Sequence, residues 1–148
     1  MADEVLDEVV QGSFAFGAVI ARALADATET VTMPQWRVLV LTASGPTNVS
    51  AVAEDLQVHP SNATRIVDRL VRAELIERGR DLRDRRNVTL TLTAKGRELV
   101  AQVIEHRRRR FEEILNAMDA PTRQAFGASM RAFAEAADRV GVKRPVGG

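Results

Sequence analysis

The sequence predicts a mainly α-helical chain carrying one small β-hairpin, folded as one domain. Apolar residues recur at helical spacing from Val5 to Ala27, from Trp36 to Leu41 and again from Lys95 to about Val140. One segment, Val88-Thr-Leu-Thr-Leu-Thr93, alternates with period two and is rich in β-branched residues, so it reads as a strand. The 148 residues, 45% hydrophobic and 28% charged, have the proportions of a single globular unit.

The elements follow in order. Val5 to Ala27 carries Val5, Leu6, Val9, Val10, Phe14, Phe16, Val19, Ile20 and Leu24, an apolar face broad enough to meet more than one neighbour. Thr32 with Gln35 three residues on fits a capping box, and Pro34 suits a first turn; the helix they open stops at Ser44-Gly45-Pro46. Ser50 is the expected cap of a short helix from Ala51 to Leu56. Gln57 to His59 is a brief break, and Pro60 starts a helix that runs to about Ala73. Leu75-Ile76-Glu77 and Val88–Thr93 flank a polar tip, Arg78 to Arg86, as the two arms of a hairpin. Thr93 caps a long helix from Lys95 to Met118, and Asp119-Ala-Pro121 opens the last one. Lys143 to Gly148 reads as a frayed tail.

Composition removes several functions. There is no cysteine, which excludes disulfides, thiolate metal sites, cysteine nucleophiles and thiol redox sensing. No run approaches the roughly 18 uncharged apolar residues of a transmembrane helix, and no membrane association is expected. The acidic start Met-Ala-Asp-Glu is unlike a secretory signal, so a cytoplasmic location is expected. His106 has no Cys, His or paired carboxylate at ligand spacing, so no metal is expected; no phosphate loop, nucleophile elbow or base-orienter set is present, so neither catalysis nor a cofactor is expected.

The net charge of +1 is unevenly spread: Met1–Thr30 carries −5, Pro60–Leu90 carries +3 and Thr91–Gly148 carries +4. Of 21 basic residues 19 are Arg, which suits bidentate contacts to phosphate and guanine, although an Arg-rich genome produces the same ratio.

Two short helices joined by a tight turn and followed by a hairpin form the winged helix-turn-helix arrangement. On a helical wheel Ala63, Ile66, Val67 and Leu70 fall within about 100° and make a buried stripe. Ser61, Arg65, Asp68 and Arg72 gather opposite, flanked by Asn62, Thr64 and Arg69. Such a face offers donors and acceptors to base edges and Arg to guanine or phosphate, and it equally describes a solvated helix surface. The tip Asp81-Leu82-Arg83-Asp84-Arg85-Arg86 favours the first reading, because three Arg suit the electronegative minor groove.

Here the sequence resembles the MarR family of bacterial transcriptional regulators. The resemblance rests on Thr32-Met-Pro-Gln-Trp-Arg-Val-Leu39, on Ser61-Asn-Ala-Thr-Arg-Ile-Val-Asp-Arg-Leu70, and on Asp81–Arg86 followed by Leu90-Thr-Leu-Thr-Ala-Lys-Gly96. It implies one chain, residues 1–148, with a winged helix-turn-helix DNA-binding lobe at 31–93, dimerisation helices at 1–30 and 94–142, and a tail at 143–148. It implies a homodimer on palindromic double-stranded DNA, a repressor released by a small apolar or aromatic effector bound between lobe and dimerisation helices. Ser61, Asn62, Thr64 and Arg65 then read bases, Arg69 and Arg72 touch the backbone, and Arg83, Arg85 and Arg86 belong to the wing. Asp68 is expected to brace Arg86. Gln57 and Glu74 depart from the family pattern, standing where Gly is common. A helical adaptor using the same fold without DNA is the alternative.

Two further features remain. Trp36 reads as core, with ligand stacking as the other option. On the long helix Leu99, Val103, Ile104, Phe111, Ile114 and Met118 span about 140°, and Arg107 falls near the centre of that face. A charge there needs a partner, for which the acidic first helix (Asp3, Glu4, Asp7, Glu8) is one source across a dimer interface; the alternative is a bend that exposes it.

Overall fold

The computed structural model describes residues 2–80 and 88–142. Among them the order is α1 (Ala2–Ala27), α2 (Met33–Ala43), α3 (Val49–Leu56), α4 (Pro60–Arg72), β1 (Ile76–Arg80), β2 (Val88–Leu92), α5 (Ala94–Asn116) and α6 (Ala120–Arg139). The strands pair antiparallel, with Ile76 opposite Leu92 and Arg80 opposite Val88.

Local cap chemistry explains most boundaries. The Thr32 hydroxyl accepts from the Gln35 N–H, and the Gln35 side chain accepts from the Thr32 N–H at 2.8 Å, closing the predicted capping box. Thr93 Oγ1 accepts from Gly96 N–H at 3.0 Å, and Asp119 Oδ1 from Thr122 N–H at 2.9 Å. Hydrogen bonding from Thr122 also holds the Asp119 carboxyl below the ordinary carboxylate range. One cap differs from expectation. α3 is capped by Asn48, whose side chain accepts from Ala51 N–H at 2.9 Å, so Ser50 lies inside the first turn. Asn48 stands two residues earlier and caps at least as well, so the helix starts there.

The core lies in the lobe built by α2, α3, α4, the hairpin and the first half of α5. Val38, Leu39, Val52, Val67, Leu70, Ile76, Leu90 and Val103 are fully buried in it, and Trp36 joins them at 4% exposure. Two left-handed residues shape the lobe: Gln57 (φ 54°) ends α3, and Glu74 (φ 59°) follows α4, the two positions where the sequence departs from glycine. The chain after Glu74 is tied to the start of α5. Thr93 Oγ1 donates to Glu74 O at 2.6 Å, Thr93 N–H to Leu75 O at 3.1 Å and Lys95 Nζ to Ala73 O at 2.9 Å. Gly96 is buried against this junction, where a β-carbon would stand 2.1 Å from Leu75 O.

α1 docks on α5 and α6 through Phe16, whose ring centroid lies 5.4 Å from Phe111 and 6.2 Å from Phe126. An ion pair from Arg110 to Asp26 at 2.8 Å fastens its other end. The first half of α1 is open: Val5, Leu6, Val9, Val10 and Phe14 are 45–68% exposed, whereas Ala23 and Leu24 are buried. By length and composition alone, Asp3–Ala27 is also long and apolar enough to cross a membrane, a test that the core helix of a soluble protein passes as well.

The Arg run of α5 resolves unevenly. Arg109 pairs with Glu105 one turn back and Arg110 with Asp26, while the half-buried Arg107 has no partner among the described residues. Within the chain, the α1 acid that engages α5 is Asp26, paired with Arg110, at the opposite end from Asp3 to Glu8.

Candidate nucleic-acid interface

α3 and α4 form the helix pair, and the left-handed Gln57 between them makes the tight turn. Its N–H bonds back to α3, and Val58 N–H reaches Ala53 O at 3.0 Å. Pro60 occupies the first turn of α4, where its missing N–H costs nothing. The buried stripe is as the wheel predicts: Ala63, Val67 and Leu70 are 0–1% exposed, with Ile66 half-buried. Ser61, Asn62, Thr64, Arg65 and Arg69 are exposed opposite.

The exposed side chains divide by how they are used. The Thr64 hydroxyl donates to Pro60 O at 3.0 Å, and Ser61 Oγ lies 2.8 Å from His59 Nδ1. Arg72 Nε donates to Asp68 O at 3.4 Å. Asn62, Arg65 and Arg69 have no intramolecular partner among the described residues, so their donors are free for an external ligand. Asp68 Oδ1 accepts from Arg78 Nη2, a pair that ties α4 to β1. Arg78, expected in the tip, is a strand residue opposite Leu90; the expected brace from Asp68 to Arg86 falls on a residue outside those described. Arg83, Arg85 and Arg86 lie outside the described residues.

The hairpin is anchored below its tip. Thr47, in the turn between α2 and α3, exchanges backbone hydrogen bonds with Leu90 at 3.1 and 2.8 Å. Arg37 of α2 donates to Asp55 O and Oδ2 of α3 at 2.7 and 3.1 Å, so the first helix of the pair is fixed to the lobe as well. The free face of α4 thus stands on a scaffold held from both sides.

Two roles are not legible in the sequence. His59, which the sequence offers either as a phosphate contact or as a solvent-exposed turn residue, caps α4 through Nδ1; its place just before a first-turn proline is the available signal. Arg78 was hidden by ending the first strand at Glu77.

A cleft of about 360 Å³ opens where α2, β2 and α5 meet, with Thr42, Pro46, Leu92, Arg97, Val100 and Ile104 in its wall. Arg97 Nη1 donates to Leu92 O at 2.9 Å, which leaves the remaining guanidinium donors at the rim. Trp36 is buried in the lobe and is not part of this wall.

The fold and this face define a class, the winged helix-turn-helix transcription regulators. Comparison with known proteins narrows it. A model of the MarR family matches residues 31–88. The crystal structure of RV1404 from Mycobacterium tuberculosis is 38% identical, covering 92% of this chain and 94% of that one, with a TM-score of 0.83. A MarR family protein from Bacillus stearothermophilus shares the fold at a TM-score of 0.73, with 22% identity over 91% of this chain and 96% of that one. Two uncharacterized HTH-type transcriptional regulators of Bacillus subtilis (strain 168) also match. YwhA is 28% identical over 62% of this chain and 66% of its own length, and YfiV 29% over 64% and 60%. The matched segments thus span less than two thirds of these curated relatives. The chain belongs to the MarR family.

Proposed function

We propose that the protein is a sequence-specific regulator of transcription that binds palindromic double-stranded DNA as a homodimer. The observation that carries this reading is the face of α4, where Asn62, Arg65 and Arg69 are exposed and have no partner among the described residues, on a helix whose other side packs into the core. Asn62 and Arg65 are the base-reading residues, since amide and guanidinium forks match adenine and guanine edges in the major groove. Ser61 and Thr64 serve beside them, and Arg69 and Arg72 take the backbone. Arg83, Arg85 and Arg86 of the wing reach the minor groove.

The dimer reading is supported by the open apolar side of α1, together with Phe133 of α6 at 57% exposure and Ile114 of α5 at 46%. An apolar surface of that extent on a lone chain calls for cover. In this reading residues 31–93 form the DNA-binding lobe, and residues 1–30 and 94–142 the dimerisation region.

Repression relieved by a small molecule fits the cleft at α2, β2 and α5. Its wall joins the root of the wing to the dimerisation helix, so an occupant that prefers one lobe position changes the spacing of the two recognition helices. An aromatic or apolar body with an anionic group suits an apolar wall with Arg97 at the rim. Such an effector should weaken DNA binding, and DNA should weaken effector binding by the same factor.

The direct experiment selects bound sequences from random duplex DNA and then tests Arg65→Ala. The expected results are a palindrome, affinity that falls with salt, and a loss of about 1–3 kcal/mol with relaxed preference at one position per half-site. Absence of salt-dependent duplex binding would favour the adaptor alternative.

A further inference from the structure

We propose that His59 is a DNA-backbone contact, with Nδ1 capping α4 and Nε2–H presented to a phosphate beside the recognition helix. The proposal rests on reading α4 as the helix that enters the major groove.

Tautomer chemistry comes first. His59 has extended backbone geometry (φ −62°, ψ 142°), and its Nδ1 lies 3.2 Å from Ser61 N and 2.8 Å from Ser61 Oγ. A backbone N–H can only donate, so Nδ1 is the acceptor. A neutral imidazole with a bare Nδ1 carries its proton on Nε2, on the opposite side of the ring. Pro60 between them has no N–H to compete for Nδ1.

Position comes second. The two contacts to Ser61 draw the ring across the helix end toward the exposed side. Ser61 and Arg65 lie about 40° apart on the helical wheel, so the ring leans to the same side as Arg65, one turn upstream. Recognition helices of this class place their N-terminal residues against base edges, which brings the residue just before the helix alongside the sugar-phosphate strand. Side-chain donors near a helix start are a standard source of phosphate contacts.

The residue type comes third. The favoured N-caps are Asn, Asp, Ser and Thr, and histidine is not among them. Ser or Thr would cap α4 but hold no donor at the far side of a ring. Asp would cap it and repel a phosphate. Histidine does both tasks with one side chain, because its two nitrogens face opposite ways and the cap fixes which one holds the proton.

His59→Ser separates the tasks, since serine caps a helix well but removes the outward donor. The full-length protein and the variant are titrated into two labelled duplexes, one of random sequence and one selected from a random pool. The variant should keep the wild-type thermal midpoint and helicity and lose about tenfold in affinity on both duplexes, as expected for a bond to a charged acceptor. A scan of single methylphosphonate substitutions should find a phosphate whose neutralisation weakens the wild type and leaves the variant unchanged. Nitrogen chemical shifts of the histidine ring should report the Nε2–H form in the free protein. If His59→Ser lowers the midpoint, His59→Asn, a second strong cap, takes its place in the same titrations.

Unchanged affinity of the stable variant would overturn the proposal, as would a ring protonated on Nδ1 alone. If Arg65→Ala still weakens binding in that case, the DNA-binding reading survives and the failure belongs to His59. A wild type that binds neither duplex would sink both together.

Discussion

Replacing Gly96 with alanine should unseat α5 from the DNA-binding lobe. A β-carbon at this position would stand 2.1 Å from the Leu75 carbonyl oxygen, 3.0 Å from its carbon and 3.1 Å from Leu92 Cδ2. Carbon–oxygen contacts of this kind sit at about 3.3 Å or more, so the two backbones must part by roughly 1 Å. The nearest obstacle is backbone, which no rotamer change relieves. That movement strains the bonds joining the start of α5 to residues 73–75: Thr93 to Glu74, Thr93 to Leu75 and Lys95 to Ala73. Two or three such bonds at about 1 kcal/mol each, with about 1–3 kcal/mol of overpacking, oppose the roughly 1 kcal/mol by which alanine favours a helix. The net expectation is a loss of about 2–5 kcal/mol. Urea unfolding at fixed protein concentration measures it from the midpoint and slope. A variant within about 0.5 kcal/mol of wild type would mean that α5 does not seat against Leu75 as described, and the account of the junction would fail.

Three further outcomes can be checked. Hydrogen bonding from Arg110, with the charges of Arg110 and Arg22, holds the Asp26 carboxyl below its ordinary 3.8. A depressed folded-state value means that the pair stabilises fully above the unfolded value, near pH 4, and that this is lost as pH falls through the lower folded value. Asp26→Asn should therefore flatten the acid limb of the stability–pH curve below about pH 4; an unaltered limb would show that Asp26 plays no part in it. Gln57→Gly should raise stability by about 0.5–1 kcal/mol by relieving a left-handed non-glycine residue, as read from the urea midpoint, and a loss would contradict this. Val10→Asp, on the open side of α1, should shift the protein toward monomer in sedimentation and weaken palindrome binding. A dimer of wild-type strength would place the interface elsewhere.

Much of the candidate site was legible because its signals are short-range. Thr32, Thr93 and Asp119 announce their helices through a side chain bonding its own next turn, and Pro60 marks the start of α4. The buried stripe of α4 follows from the 3.6-residue period, and that period also separates Asn62, Arg65 and Arg69 from it. Gln57 and Glu74 stand out only through the family resemblance, as residues where glycine is common, and both have the positive φ that glycine favours.

What the chain order could not convey is which distant groups meet. Asp68 finds Arg78 because the hairpin folds back against α4, and β1 extends past the point where alternation in the sequence faded. Asp26, rather than the acids at the other end of α1, meets Arg110 because the crossing of α1 over α5 decides which turn faces which. The division within the exposed α4 face is equally a matter of geometry: hydroxyls at Ser61 and Thr64 bond within the chain, whereas Arg65 has no partner among the described residues. Residue order alone determined the helices, the hairpin, the caps of α2, α5 and α6 and the two faces of α4, because these depend on groups a few residues apart. Only the tertiary structure decided the ion pairs, the cleft at Arg97 and the open side of α1, because those depend on how finished elements pack.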